Sequence, residues 1–300
     1  MIDSEVEFEG GDGLLLSGRL VVPASEAPIP GVLLVGGSGP SDRDNDGFFV
    51  PVRDRLVRLG VGVLSYDKRG AGKSQGMWQS ATVDQLAADA VAALSLLRDQ
   101  PAIDGRRVSL LGHSEGGWVA LRACLAEPPP TLLILSSVPA VSFLEAEVHA
   151  LHSQGFDDYE CGQAGAVLED LIELVMVGGD LAAAQALLDA QSSEPWFERF
   201  QQLGFGLTES MWAQLRAWGR YDPAEDLWRC TVPTTVLLGG EDPLVPVAAS
   251  VTVFDQTAGV AGRQQSTVIF PGAGHRMNLS ASDAVLPEYL ERLGHLIQTT

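Results

Sequence analysis

Residues 107–118 read Arg107-Val-Ser-Leu-Leu-Gly-His-Ser-Glu-Gly-Gly-Trp118, an apolar run that breaks into a glycine-rich turn. Short apolar runs bounded by charge and glycine are what strands buried on both faces look like. The next segment, Glu115–Glu127, has apolar residues at helical spacing and stops at Pro128-Pro-Pro130. Ser114 therefore stands where a strand turns into a helix. A serine on such a turn is held in strained backbone geometry, and glycines two residues to either side remove side chains that would collide. The turn lifts the hydroxyl above the sheet and sets the helix N-terminus beneath it, where developing negative charge is favoured. Gly-x-Ser-x-Gly alone is a weak signal in a chain with 33 glycines. The strand-to-helix context is what makes Ser114 a candidate nucleophile rather than part of a plain connection.

Outward from this turn the pattern repeats. Gly31–Gly36, Val61–Tyr66, Arg107–Gly112, Thr131–Ser136, Thr234–Gly239 and Ser266–Phe270 read as buried strands, and Thr82–Gln100 as a helix stopping before Pro101. Alternating strands and helices predict an α/β fold, with a mostly parallel sheet and helices on both faces. Val6–Pro23 alternates apolar and polar residues around Gly10-Gly-Asp-Gly13 and predicts an N-terminal antiparallel hairpin.

Between about Pro139 and Asp226 the alternation lapses. Helices are expected at Phe143–Gln154, Gly165–Val177, Leu181–Gln191 and Glu209–Gly219, with Trp196, Phe197, Phe200, Phe205, Trp212 and Trp218 among or between them. An all-helical insertion between two strands of one sheet is expected to pack as a cap over the strand ends. The organisation is then a core of residues 1–138 and 227–300 and a cap of 139–226. Most of the aromatics are expected to form cap core, with one or two left to face a ligand.

A serine nucleophile needs a base. Of the five histidines, His113 sits on the turn itself, so its side chain should point away and pack. His149 and His152 fall in the helical insertion, with no strand end nearby, and His295 in the last helix, on its surface. His275 follows a strand, in Phe270-Pro-Gly-Ala-Gly-His275-Arg-Met-Asn278, on a loop whose glycines leave room for an imidazole to reach the serine. The base in turn needs an acid to orient it. Glu241 and Asp242 both follow the strand Thr234–Gly239, and Asp242 is favoured because Pro243 fixes the turn after it, with Glu241 as the rival.

The chain order Ser114, Asp242, His275 is that of the α/β-hydrolases, and the sequence resembles serine esterases of that superfamily. It is most similar to a bacterial group whose first catalytic loop reads His-Gly-Ser-Gly-Pro-x-Asp-Arg-Asp and whose next loop reads Tyr-Asp-x-Arg-Gly-x-Gly-x-Ser. Here those loops are Gly36-Gly37-Ser38-Gly39-Pro40-Ser41-Asp42-Arg43-Asp44 and Tyr66-Asp67-Lys68-Arg69-Gly70-Ala71-Gly72-Lys73-Ser74. The resemblance covers the sheet-forming parts, from the hairpin to about residue 295, but not the insertion. It implies an α/β-hydrolase fold with an inserted helical cap. It also implies an oxyanion hole built from the backbone N–H groups of Ser38 and Glu115, with Gly37 as the alternative to Ser38. One departure stands out: Gly36 occupies the place of the family's histidine, which usually supports that loop. The activity implied is hydrolysis of a small carboxylic ester without cofactor or metal. Thioester hydrolysis, acyl transfer and cleavage of small peptides are alternatives on the same fold. Peptidase relatives usually carry a propeller domain, for which this chain lacks the length.

Whole-chain properties agree with this class. A net charge of −20, from 39 acidic and 19 basic residues, disfavours nucleic acid and anionic membranes as partners. Three cysteines (Cys124, Cys161, Cys230) without paired or metal-ligand spacing read as buried free thiols in a reducing compartment. The acidic N-terminus lacks the pattern of a secretory signal, and no apolar run is long enough to span a membrane, so a cytoplasmic protein is expected. Oligomeric state is not legible.

Two motifs point elsewhere. Gly72-Lys73-Ser74 ends as a phosphate-binding loop does, but the glycine required five residues earlier is Asp67, an acid where amides should cradle phosphate. The loop instead reads as a scaffold in which Asp67 or Arg69 braces the Gly37–Asp46 loop. Asp42-Arg-Asp44-Asn-Asp46-Gly47 opens like a calcium loop, but its closing position holds Arg53. Its acids are expected to cap a helix at Val50–Leu59 or to pair with Arg43, Arg53 or Arg69. A non-catalytic binding module on the same fold is disfavoured, because all three triad positions are filled.

Overall fold

The structure is a computed structural model that describes residues 1–205, 208–259 and 262–299. Eight strands form one sheet in the order β1-β2-β4-β3-β5-β6-β7-β8. Strands β1 (Ile2–Glu9) and β2 (Leu15–Val22) make the expected hairpin, and β2 also runs antiparallel to β4 (Gly62–Tyr66). All other pairings are parallel, through β3 (Ile29–Val35), β5 (Ile103–His113), β6 (Leu132–Ser136), β7 (Thr234–Gly239) and β8 (Gln265–Phe270). This is the α/β-hydrolase fold read from the sequence.

Because the parallel strands are covered on both faces, their alternate residues fill two different cores. Leu33 and Val35 of β3 join the larger cluster with helices α2 (Val83–Arg98) and α3 (Glu115–Ala123). Val32 and Leu34 join the smaller one with α1 (Phe49–Arg58) and α11 (Pro287–Gln298). That double burial is why the runs lack polar alternation.

Between β6 and β7 lie helices α4 (Phe143–Ser153), α5 (Asp158–Met176), α6 (Leu181–Asp189), α7 (Phe197–Phe200), α8 (Glu209–Trp218) and α9 (Pro223–Arg229). Their buried side chains are continuous with the larger sheet cluster, so insertion and sheet share one core. Trp218 donates its indole N–H to the Ala81 carbonyl at 3.0 Å, and Trp118 of α3 donates to Pro139 at 2.7 Å. Trp196, Phe197, Phe200, Trp212 and Trp218 are all buried, while the Phe205 side chain falls outside the described residues. Helix α10 (Val247–Thr257) follows β7.

Some helices differ from expectation. Helix α5 starts at Asp158, not Gly165, because Asp157 and Glu160 form a reciprocal cap that carries the helix through Gly162 and Gly165. Helix α3 ends at Ala123, not Glu127, where shorter-range bonds from Leu125 to Arg122 and from Ala126 to Ala123 tighten the chain before the prolines. Helix α9 is not anticipated, although Asp222 followed by Pro223 is a readable start: the Asp222 carboxylate caps Ala224 N–H at 2.9 Å. No helix among the described residues is long and apolar enough to cross a membrane.

Candidate active site

Ser114 has φ 55° and ψ −130°, outside the ordinary right-handed regions, between the last residue of β5 and the first of α3. The neighbouring glycines are enforced by space. A Cβ at Gly116 would fall 2.3 Å from the Gly36 carbonyl oxygen, and one at Gly117 would fall 2.1 Å from Val138. The elbow is thereby pressed against the end of β3, and the loop that follows β3 lies directly over the serine. A Cβ at Gly37 would sit 3.3 Å from the Ser114 Cβ.

Asp242 and His275 meet at the ends of β7 and β8. His275 Nδ1 lies 3.0 Å from Oδ1 and 2.9 Å from Oδ2 of Asp242. The Asp242 carboxylate is fully buried, and its Oδ1 also accepts from the amides of Leu244 at 2.9 Å and Val245 at 3.2 Å. Glu241 is exposed and its side chain takes no part in this contact. The Ser114 hydroxyl has no hydrogen-bond partner among the described residues, so structure joins the acid to the histidine but does not close the serine–histidine contact. A hollow of about 400 Å³ opens beside His275, between Pro243, Leu244, Gly272 and Asn278.

His113 packs inward as expected, but it also does something the sequence did not suggest. Asn45 Nδ2 donates to its Nδ1 at 3.0 Å, which leaves the proton on Nε2, and Nε2 donates to the His275 main-chain carbonyl at 3.1 Å. Burial, together with the neighbouring His275, pushes the His113 imidazole down to about 3, so it stays neutral in this role. His149, set apart in sequence from any strand end, lies within electrostatic reach of Asp242. His295 is exposed, as expected.

The loop from Gly36 to Asp46 is held from three sides. Asn45 Oδ1 accepts from the Gly37 amide at 3.1 Å and from the Ser41 hydroxyl at 3.0 Å. That arrangement explains Gly36, because a Cβ there would fall 2.1 Å from Ser41 Oγ. Ser41 and Asn45 take the space a histidine side chain would need. Since the Gly37 amide is occupied by Asn45, the Ser38 amide is the one left without an acceptor among the described residues. On the second side, Asp67 accepts from the Arg43 amide at 2.8 Å and from its guanidinium at 3.0 and 2.7 Å. On the third, Arg276 donates to the Asp46 carbonyl at 3.0 Å, tying this loop to the residue after His275.

Of the two bracing candidates, then, Asp67 supports the loop and Arg69 does not. Arg69 pairs with buried Asp89 at 2.8 and 2.9 Å and with Asp12, locking the hairpin turn to α2. The phosphate-loop ending is filled from within: Lys73 N–H bonds the Asp67 carboxylate at 2.9 Å, and Gly72, at φ 51°, has no room for a Cβ beside it. The acids of the calcium-like segment are likewise used up, Asp44 on Arg53 at 2.6 Å and Asp42 on the amides of Asp44 and Asp46. They do not cap α1, which starts at Phe49 without a side-chain cap.

Two residues near the elbow escaped the sequence reading. Lys68 is buried, and its ammonium donates to the Gly37 carbonyl at 2.6 Å and to Glu115 Oε1 at 2.7 Å. Glu147 of α4 is half-buried and lies within electrostatic reach of Glu115; partial burial and that like charge push its carboxyl up to about 7. Lys68 stands inside a motif already singled out, whereas nothing around Glu147 marks it in sequence.

Residues 32–288 match the family model described as alpha/beta hydrolase family. Esterase EstD of Thermotoga maritima is 24% identical over 289 residues, 94% of this chain and 62% of its own length. A non-heme haloperoxidase of Rhodococcus erythropolis is 25% identical over 240 residues, 78% of this chain and 83% of its own. Among solved structures, an esterase of Pyrococcus furiosus superposes with a TM-score of 0.67 at 18% identity, over 99% of this chain and 91% of its own. An esterase of Exiguobacterium antarcticum gives 0.62 at 20% identity, over 98% and 99%.

Proposed function

The chain belongs to the alpha/beta hydrolase family, and from that premise we propose that it is a serine hydrolase cleaving small carboxylic esters through an acyl-enzyme on Ser114. The contact between His275 Nδ1 and both oxygens of buried Asp242 carries this reading. It fixes the tautomer in which Nε2 is free to act as a base, and it stabilises the imidazolium that forms.

In this reaction Ser114 Oγ attacks the ester carbonyl as His275 Nε2 takes its proton, a contact that tightens on substrate binding. The oxyanion is received by the amides of Ser38 and Glu115, the second of which opens helix α3 and benefits from its dipole. His275 then gives its proton to the departing alcohol, and a water activated by the same imidazole releases the acid. None of these steps calls for a metal or cofactor. The occupied Gly37 amide supports Ser38 over Gly37 as donor.

Turnover of a panel of short- to medium-chain aryl esters, thioesters and aminoacyl arylamides tests this reading. The wild type is expected to favour the esters, and Ser114→Ala to lose about 10³-fold or more in kcat. Ester hydrolysis that survives in Ser114→Ala sinks the mechanism, and a preference for thioesters or arylamides moves the substrate class.

A further inference from the structure

We propose that Lys68 is a positioning residue of the oxyanion hole, acting through the peptide unit that joins Gly37 to Ser38. The inference rests on the serine-hydrolase reading and extends it. The carbonyl that Lys68 Nζ binds at 2.6 Å belongs to Gly37, and the N–H at the other end of that planar unit is the Ser38 donor. A buried ammonium on the oxygen draws electron density across the conjugated amide, enlarges its dipole, and strengthens the N–H as a donor. It also fixes the plane of that peptide unit, and with it the direction of the Ser38 N–H.

The remaining bonds of Lys68 serve the same end. Its second ammonium contact, Glu115 Oε1 at 2.7 Å, holds the side chain of the residue whose own amide is the other donor. Its main-chain N–H bonds the Ser41 carbonyl at 3.0 Å, farther along the same loop. One residue thus links both donors to each other and to the end of β4. With only 8% and 11% of the Lys68 and Glu115 side chains exposed, the pair is screened little by solvent. A salt bridge with a merely structural role has no need to place its cation on that particular carbonyl.

Removing Lys68 alone leaves Glu115 buried without its partner, so the comparison is between Glu115→Gln and the double variant Lys68→Met/Glu115→Gln. Both are checked for folding by circular dichroism and Tm. The double variant is expected to show a kcat about 10- to 100-fold below Glu115→Gln, less than the ~10²–10³ of deleting a donor outright, with KM within about twofold. Affinity for a tetrahedral boronic acid is expected to fall by the same factor as kcat. Equal kcat and equal boronate affinity in the two folded variants overturn the proposal and leave Lys68 a structural ion pair. A kcat loss without the matching boronate loss overturns it as well. If the wild type hydrolyses esters and Ser114→Ala does not, failure here concerns Lys68 alone; if Ser114 proves dispensable, both readings fall.

Discussion

The Nε2–H of buried His113 donates to the main-chain carbonyl of His275 across 3.1 Å, so one histidine holds the backbone of another. His113 takes no proton in the proposed reaction, yet it ties the elbow of β5 to the loop after β8.

His113→Gln is expected to destabilise the fold by about 1–3 kcal/mol, the cost of disturbing a buried hydrogen-bonded group. The effect depends on pH. The folded imidazole is depressed to about 3, whereas the unfolded one titrates near its ordinary 6.5. Between these values the unfolded chain binds more protons, so the stability His113 contributes is full above pH 6.5 and lost as pH falls toward 3. Melting curves of both proteins from pH 8 to pH 4 should show the gap narrowing as the solution becomes acid. A constant gap contradicts the neutral, buried role.

Glu147 gives the opposite sign. Its carboxyl is raised to about 7, so between its ordinary 4.5 and 7 the folded chain holds a proton the unfolded chain has released. Stability is therefore lost as pH rises through that window. Glu147→Gln should melt higher than the wild type at pH 8 and no higher at pH 4. Equal melting temperatures at pH 8 count against a raised carboxyl.

Asp242→Asn removes the charge facing His275 and disfavours the working tautomer, and should lower kcat by about 10²–10⁴. Glu241→Gln, at the exposed rival position, should stay within about twofold. Comparable losses in both variants contradict the assignment of the acid.

Arg69→Met strands Asp89, which is fully buried, and should cost about 3–5 kcal/mol. Because Arg69 grips the hairpin and α2 rather than the Gly37 loop, turnover per folded molecule at 25 °C should not change. Differential scanning calorimetry paired with active-site titration separates the two effects. A kcat loss at constant melting temperature contradicts this placement.

These cases show where the sequence speaks and where it falls silent. Ser114, Asp242 and His275 are legible because each follows an apolar strand, and a strand end is a fixed address in a parallel sheet. Asp67 is legible only as one of two brace candidates: an acid there defeats phosphate binding, but what separates it from Arg69 is its contact with Arg43 in the folded chain. The use made of Lys68, His113 and Asn45 is not legible, since their partners lie 31, 162 and 68 residues away in sequence and come together only when β3, β4, β5 and β8 assemble. Glu147 is hidden for the same reason: helical spacing shows that it lies on α4 but not that this face is turned toward Glu115. The Gly36 departure becomes intelligible once Ser41 and Asn45 are seen in the space a larger residue would claim.

In the proposed reaction Ser114 is a nucleophile activated by the Asp242–His275 pair. The most direct measurement is reaction of the wild-type chain with a fluorophosphonate, followed by peptide mass spectrometry. A single stoichiometric adduct on Ser114 is expected. Adduct formation should run parallel to loss of ester hydrolysis and slow at least about 10²-fold in His275→Ala. An unlabelled Ser114 in catalytically active protein, or labelling indifferent to His275, contradicts the proposed reaction.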